Sequence, residues 1–233
     1  MLKLNNKSKK LLLFQRNELL TTTQKWTRKR FGRFLFTNFF INFNQSENIS
    51  LNAENLFKSE INTFKNFLPR NINNIMDIGC GLGIINILLN EFYNDKVNFY
   101  LLDKHRIDKK IKYGFSTNYE SYNDLNETKR IFKDNNINEN RFFLFDVEKE
   151  IQIDVKIDLV ISLKSMGYHY PFETYLELIR KCCNKNTIFI FDVSSVTFNE
   201  NLLKKYFENI KIIYEEKSIV LLKRLFCYGL KLN

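Results

Sequence analysis

The stretch Asp77-Ile-Gly-Cys-Gly-Leu-Gly83 lies between two apolar runs and is the part of the sequence that decides the fold. The run before it, residues 75–78, is typical of a short buried strand, and residues 84–89 are typical of the first turns of a helix. Glycines between a strand and a helix allow a sharp turn, and the backbone can approach a ligand where a Cβ atom would clash. The helix N-terminus would then direct its unpaired N–H groups at that ligand.

The spacing of the glycines separates several kinds of nucleotide site. The nicotinamide fingerprint requires glycines at the first, third and sixth positions, but the sixth position here is Ile84. A P-loop is excluded because no Gly-Lys-Ser/Thr follows. An acidic residue two places before Gly79, with glycines on alternate positions, resembles motif I of the class I S-adenosylmethionine-dependent methyltransferases. The resemblance implies that Gly79, Gly81 and Gly83 let the backbone approach the cofactor and that Asp77 orients its methionine end.

The rest of the chain agrees with this resemblance. Further strands are predicted at residues 97–102, 141–145, 157–162, 187–191, 210–214 and 218–222, the last two around a turn at 215–217. Helical stretches separate the first five strands, which predicts a parallel sheet covered on both faces. The predicted fold is therefore α/β: a Rossmann-like, mostly parallel seven-stranded sheet with helices on both faces, a C-terminal antiparallel hairpin and a helical N-terminal extension.

Acidic residues end two of these strands, where ligands of such sheets bind. Asp103 can accept hydrogen bonds from both ribose hydroxyls, because its carboxylate offers two adjacent acceptor oxygens. The resemblance implies that Asp146 receives the adenine amino group, that the Val147 N–H faces a ring nitrogen and that Ser162 lies beside the sulfonium. The predicted cofactor contacts are Asp77, Gly79, Cys80, Gly81, Gly83, Asp103, Lys104, Asp146, Val147 and Ser162.

The segment after the fourth strand contains Tyr168, His169, Tyr170 and Pro171 and would lie beside the transferring methyl group. Methyl transfer is an in-line displacement, so a base is needed only when the acceptor must lose a proton. His169 is the predicted base, because imidazole titrates near neutral pH. Tyr168 and Tyr170 are predicted to orient the acceptor or to face the sulfonium with their rings. The alternative for His169 is a loop histidine that only bonds the backbone.

The same segment departs from the DNA amino-methyltransferases, which carry tandem prolines at this place. Only Pro171 is present here, and no Pro-Cys dipeptide supplies the nucleophile of a cytosine C5 enzyme. The acceptor is therefore left open as an O or N atom of a small molecule, a glycan or an RNA. An aminopropyl transferase is disfavoured by the cationic N-terminus, and a non-catalytic RNA-binding or assembly module with this fold stays as the alternative.

Positive charge is concentrated at the N-terminus. Residues 1–33 hold ten basic side chains against Glu18 alone, which accounts for +9 of the net charge of +10. Aromatic residues from Trp26 to Phe40 follow or interleave with them, which is compatible with RNA, with an anionic membrane or with a cap over the active site. Residues 11–20 could form an amphipathic helix, which is the kind of element that would bind an anionic membrane surface. Ala53 is the only alanine, so part of the lysine excess is explained by an AT-rich coding sequence.

The domain organisation follows from these patterns. Residues 1–50 are predicted to form a basic, aromatic N-terminal extension, and residues 51–233 the cofactor-binding domain. A helix is predicted from an N-cap at Ser50 to about residue 67, and another over residues 121–135. Between them, residues 104–119 are longer than an ordinary strand-to-helix loop, which predicts either a lid or an insertion without a role.

The cysteine and hydropathy patterns bear on location. Four cysteines without paired spacing favour a reducing compartment, and two histidines without a Cys-x-x-Cys motif argue against a structural zinc site. No stretch of eighteen apolar residues exists, and no apolar core of a signal peptide follows the basic start. We therefore expect a soluble protein of the cytoplasm, with no metal and an unknown oligomeric state.

Overall fold

The computed structural model describes residues 1–43, 46–108, 121–196, 198–217 and 221–231. Its strands are β1 Asn74–Ile78, β2 Asn98–Asp103, β3 Phe142–Asp146, β4 Leu159–Ser162, β5 Ile188–Ser194, β6 Phe207–Glu216 and β7 Leu222–Leu230. They form one seven-stranded sheet in the order β3-β2-β1-β4-β5-β7-β6. The first five strands pair in parallel, whereas β7 is antiparallel to both β5 and β6. The predicted mostly parallel sheet with a C-terminal antiparallel hairpin is confirmed.

Helices cover both faces of this sheet. They are α1 Asn6–Gln15, α2 Thr22–Phe31, α3 Arg33–Phe43, α4 Ser46–Asn62, α5 Ile84–Phe92, α6 Leu125–Asp134, α7 Leu176–Cys182 and α8 Glu200–Leu203. Alternate side chains of β1 point to opposite faces, so Ile75 belongs to one core and Met76 to the other. The first core is completed by α1, α4, α5 and α6, and the second by α7 and α8.

Helix α1 is part of the main core and is not a surface helix. Its apolar residues Leu11, Leu12, Leu13 and Phe14 are all buried, so the prediction of an amphipathic membrane helix over residues 11–20 is wrong. Polar contacts fix the helix to α6, because the hydroxyl of Ser8 donates a hydrogen bond to Glu127 Oε1 at 2.6 Å. The apolar run is thus explained by packing between α1 and the rest of the fold.

The first helix of the predicted cofactor-binding domain begins earlier than expected. Helix α4 starts at Ser46, and Ser50 is a buried residue inside it, so Ser50 is not the N-cap. The reason is that Ile49 packs into a small core with Leu13 and Phe36. The predicted boundary between residues 50 and 51 therefore falls inside one continuous helix.

Two other predicted elements are shifted along the chain. Helix α6 begins at Leu125 after an Asp124 N-cap, because residues 107 and 122 first form an antiparallel bridge. The seventh strand is β7 and not residues 218–222, of which 218–220 lie outside the described residues. Strand β6 continues through the predicted turn, where Glu215 pairs with Lys223 in the β7 register. Most of the predicted long loop, residues 109–119, also lies outside the described residues.

Candidate active site

The glycine turn between β1 and α5 is held tightly by its neighbours. Gly79, Gly81 and Gly83 have φ values of 80°, 55° and 69°, a region that other residues rarely adopt. A Cβ atom at Gly79 would lie 2.2 Å from Ser165 Cβ, and one at Gly83 would lie 2.5 Å from a ring carbon of Phe132. Glycine at these two positions is required by packing against the loop after β4 and against α6.

Asp77 is the acidic residue at the end of β1 and is only 4% exposed. Its Oδ2 accepts a hydrogen bond from Asn86 Nδ2 of α5 at 2.5 Å. Burial raises the pKa of Asp77 to about 7, although the hydrogen bond from Asn86 acts in the opposite direction. The Oδ1 atom of Asn86 is buried and has no hydrogen-bond partner among the described residues.

Asp103 ends β2 and faces the glycine turn. Its Oδ2 accepts the N–H of Gly81 at 2.6 Å, and its Oδ1 accepts the N–H of Lys104 at 2.7 Å. Burial raises the pKa of Asp103 to about 6 despite these two bonds. Because an ionised carboxylate has about four acceptor positions, both oxygens can still accept hydroxyl groups.

Asp146 and Val147 lie at the end of β3, where Asp146 is the register partner of Asp103. Asp146 Oδ1 accepts the N–H of Glu148 at 3.1 Å and that of His105 at 3.4 Å. The N–H of Val147 donates to the carbonyl oxygen of Asp103 at 3.1 Å. The N–H of Val147 is therefore engaged by Asp103 in this structure, and its contact with a ring nitrogen stays a prediction.

Ser162 has a structural place in the loop after β4. Its buried hydroxyl donates to the carbonyl oxygen of Ile78 at 2.7 Å and accepts the N–H of Met166 at 2.8 Å. These bonds tie the ends of β4 and β1 together and engage the side chain within the fold, so direct contact of Ser162 with a cofactor stays a prediction. Pro171 is the N-cap of the short helix Phe172–Tyr175.

The same loop presents His169 and Tyr170 at a compact turn. The Ser165 carbonyl oxygen accepts the N–H groups of Tyr168, His169 and Tyr170 at 3.1, 2.8 and 3.1 Å. Part of His169 is exposed, yet desolvation by the loop and then the nearby Lys164 ammonium lower its pKa below 6.5. The ring is therefore neutral at pH 7, which is the protonation state that a general base requires.

Aromatic rings and a lysine surround this turn. The Tyr168 ring meets the His169 ring edge-on, with centroids 4.9 Å apart, and Lys104 Nζ lies 5.2 Å from the centroid of the Tyr170 ring. Tyr175 is close enough to Ser165 for a side-chain hydrogen bond, and burial raises the Tyr175 pKa above its usual 10. Sequence reasoning missed Tyr175, since nothing in its neighbourhood distinguishes it from an ordinary helix residue.

The N-terminal extension supplies the opposite wall. Phe14 packs against Phe34 and Tyr122 with ring centroids 4.9 and 5.4 Å away, and the Arg33 guanidinium lies 5.0 Å from the Tyr122 centroid. Gln15 Nε2 donates to the carbonyl oxygen of Tyr122 at 2.8 Å. No single sequence motif predicts that these residues lie together, because they come from α1, α3 and the segment before α6.

An ion network joins this wall to the loop after β4. Arg16 contacts Glu60 of α4 with Nη1 to Oε1 at 3.0 Å, and Lys164 Nζ lies 3.5 Å from the same oxygen. Lys164 also pairs with Glu18. Burial tends to raise the pKa of Glu18, but Lys164 and Arg16 outweigh it and hold that pKa below 4.5.

A buried ion pair between two strands of the sheet extends the network. Arg224 of β7 and Asp192 of β5 are 2% and 0% exposed, and their two hydrogen bonds measure 2.7 and 3.0 Å. Arg224 also donates to the carbonyl oxygen of Glu60 at 3.2 Å, and Asp192 accepts the Lys164 N–H at 3.2 Å. The extension, the sheet and the loop are therefore linked by charge as well as by apolar packing.

These elements enclose a cavity of about 490 Å³, within the usual range for a small-molecule site. The predicted site residues that line it are Asp77, Gly79, Cys80, Gly81, Asp103, Lys104, Val147, His169 and Tyr170. Four other predicted site residues, Gly83, Asp146, Ser162 and Tyr168, are not among the described residues that line it. Within the part of the chain that the structure describes, no cluster of His, Cys, Asp and Glu is arranged to hold a metal.

Comparisons with known proteins place the fold in a class. No protein-family model matches the sequence, and no curated protein matches it. The structure is similar to the O-methyltransferase segment of StiE, with 14% identity, 79% of this chain and 77% of that chain covered, and a TM-score of 0.51. It is also similar to an S-adenosylmethionine-dependent methyltransferase from Aquifex aeolicus, with 10% identity, 76% and 98% covered, and a TM-score of 0.50. The chain has the class I S-adenosylmethionine-dependent methyltransferase fold.

Proposed function

We propose that this protein is an S-adenosylmethionine-dependent methyltransferase that acts on an O or N acceptor. The observation that carries the proposal is the convergence of Asp77 and Asp103 on one cavity, with the glycine turn between them. The loop that holds His169 forms another part of the same cavity wall. The acceptor belongs to a small molecule, a glycan or an RNA.

The two acidic residues of the cavity suit this cofactor. Both carboxylates have raised pKa values because they are desolvated, so a ligand that brings positive charge and hydroxyl donors would relieve an existing cost. S-adenosylmethionine carries an ammonium group, a sulfonium and two ribose hydroxyls, and when bound it supplies an electrophilic methyl group. Asp77 would hold the ammonium end, and Asp103 would accept the two hydroxyls.

The loop after β4 would serve the acceptor. His169 accepts the proton of a hydroxyl or an amine as the new bond forms, since its lowered pKa keeps the ring neutral near pH 7. Tyr170 and Tyr175 line the same cavity and would orient the acceptor and exclude water. Tyr168 supports the imidazole through the edge-on ring contact rather than from the cavity itself.

Calorimetric titration of the purified protein with S-adenosylmethionine, S-adenosylhomocysteine and NAD tests the cofactor assignment. We expect micromolar binding of the two adenosyl ligands and none of NAD. Asp103→Ala should weaken that binding by about 1–3 kcal/mol, because two hydrogen bonds to a charged group are lost. Asp154→Ala, at an exposed position away from the cavity, is the matched control. Equal affinity of both variants for the cofactor would contradict the role of Asp103.

The cellular setting that we propose is the cytoplasm. All four cysteines are unpaired, which is compatible with a reducing compartment. Among the residues that the structure describes, no helix combines the length and apolar character needed to cross a bilayer. An acceptor screen can therefore begin with metabolites, glycans and RNA from that compartment.

A further inference from the structure

Helices α2 and α3 form a hairpin that exposes large apolar side chains in addition to those it buries. One side of α3 is buried, where Phe36 and Ile41 pack with Leu13 of α1. The other side exposes Leu35 and Phe39, which retain 72% and 65% of their accessible surface. A helix on the surface of a globular protein usually has one apolar face, so a second apolar face that the other described residues leave exposed is a candidate contact surface.

Helix α2 also exposes large apolar side chains. Trp26 is 67% exposed and Phe31, at the corner between the helices, is 62% exposed. Lys29 and Arg30 follow Trp26 by three and four positions, so they share its face of the helix, and both are exposed. The inner side of α2 is fixed to the core, since Arg28 donates to the carbonyl oxygen of Leu13 at 2.9 Å.

The charge of this surface restricts its partner. No acidic residue occurs between Glu18 and Glu47, whereas Lys25, Lys29 and Arg30 are exposed there. A second copy of the chain on the same surface would bring like charges together in a symmetric contact. Leu35 cannot stack on a base, so an RNA would leave the most exposed large aliphatic residue of the hairpin without a function.

We propose that the outer surface of the α2–α3 hairpin binds an anionic lipid bilayer. Trp26, Phe31 and Leu35 enter the boundary between headgroups and acyl chains, while Lys25, Lys29 and Arg30 contact the anionic headgroups. This combination of large apolar side chains with flanking cations is the pattern of helices that lie in a membrane interface. The binding is independent of the proposed cofactor and is tested without it.

Trp26 makes the test direct, because it is the only tryptophan of the chain. The full-length protein is mixed with vesicles of phosphatidylcholine alone or with roughly a third phosphatidylglycerol, and separately with a single-stranded RNA. We expect a blue shift of the Trp26 emission and sedimentation with the anionic vesicles only, both weakened by salt. Binding of the RNA without a blue shift by vesicles would overturn the proposal in favour of a nucleic-acid surface. Concentration-dependent dimerisation without vesicle binding would overturn it in favour of self-association.

Variants that keep Trp26 identify the contact surface. Leu35→Ser should lower vesicle affinity about tenfold, because a large apolar side chain no longer enters the bilayer. Lys29→Gln and Arg30→Gln should each lower it about fivefold, as expected for one cation near an anionic surface. Leu202→Ser replaces an exposed leucine of α8 and is the matched control that should leave affinity unchanged. Equal affinity of the Leu35 and Leu202 variants would place vesicle binding elsewhere and refute the assignment.

Discussion

Replacing Asp77 by asparagine is expected to make the protein more stable while it weakens the cofactor site. Burial raises the pKa of this carboxyl from 3.8 to about 7. Between these two pH values, Asp77 is still protonated in the native state but already ionised in the unfolded chain. The free energy of unfolding therefore falls as the pH rises through this interval. At about 1.4 kcal/mol per pH unit, the whole interval corresponds to about 4 kcal/mol.

Asparagine has no charge to bury and its amide oxygen can still accept the hydrogen bond from Asn86. In urea unfolding, wild type and Asp77→Asn should have equal free energies of unfolding at about pH 4. At roughly pH 8 the free energy of unfolding of the variant should be higher by about 4 kcal/mol. Asp154→Asn, at an exposed position, should stay within about 0.5 kcal/mol of wild type at every pH. A variant less stable than wild type at high pH, or a difference that does not change with pH, would refute this reasoning.

The same substitution reports on cofactor binding. If only the ionised carboxylate holds the ammonium group, wild-type affinity for S-adenosylmethionine should rise roughly a hundredfold from Asp77 alone between about pH 5 and 8. Asp77→Asn should lose that dependence and bind about tenfold to a hundredfold more weakly at high pH. Calorimetry across this range measures both quantities. An identical pH dependence in the variant would show that Asp77 is a buried structural acid without a ligand.

Three further substitutions test separate parts of the structure. Gly83→Ala should lower the free energy of unfolding by about 1–3 kcal/mol in urea melts, because its Cβ would meet the Phe132 ring at 2.5 Å; unchanged stability would contradict the packing role. His169→Gln should slow turnover about 10²–10⁴-fold and leave cofactor affinity unchanged once an acceptor is known, whereas full turnover would remove His169 from the mechanism. Arg224→Met should destabilise by about 3–5 kcal/mol because Asp192 stays buried without its partner, and adding Asp192→Leu should restore most of it; no recovery in the double variant would argue against an isolated charge penalty.

The sequence was most informative where structure is local. The turn from β1 to α5 needs glycines because of its own φ values, so its pattern is visible in seven consecutive residues. Strand ends are local in the same sense, which is why Asp77 and Asp103 were found from an apolar run followed by an acid. Periodicity also predicted the order of the strands along the chain, and from it the parallel part of the sheet.

Residues that meet through distant parts of the chain gave no such pattern. Lys164 pairs with Glu18 across 146 positions, and Arg16 bonds Glu60 across 44, so neither pair has a sequence signature. The leucines of α1 resembled a surface helix because lysines precede them, and only packing against α4 and α6 shows that they are core. Hydrogen-bond competition was also invisible, as Ser162 shows, because its hydroxyl is used within the fold.

The anchoring of α1 to α6 has a consequence for the order in which the chain folds during synthesis. Ser8 and its acceptor Glu127 are 119 positions apart, so α1 is synthesised long before its polar partner exists. Until then the four apolar residues 11–14 have no core to enter and stay available to chaperones or to other nascent chains. Closing such a long loop late is entropically demanding, and we expect docking of α1 to be a slow step that sets when the cavity first acquires its N-terminal wall.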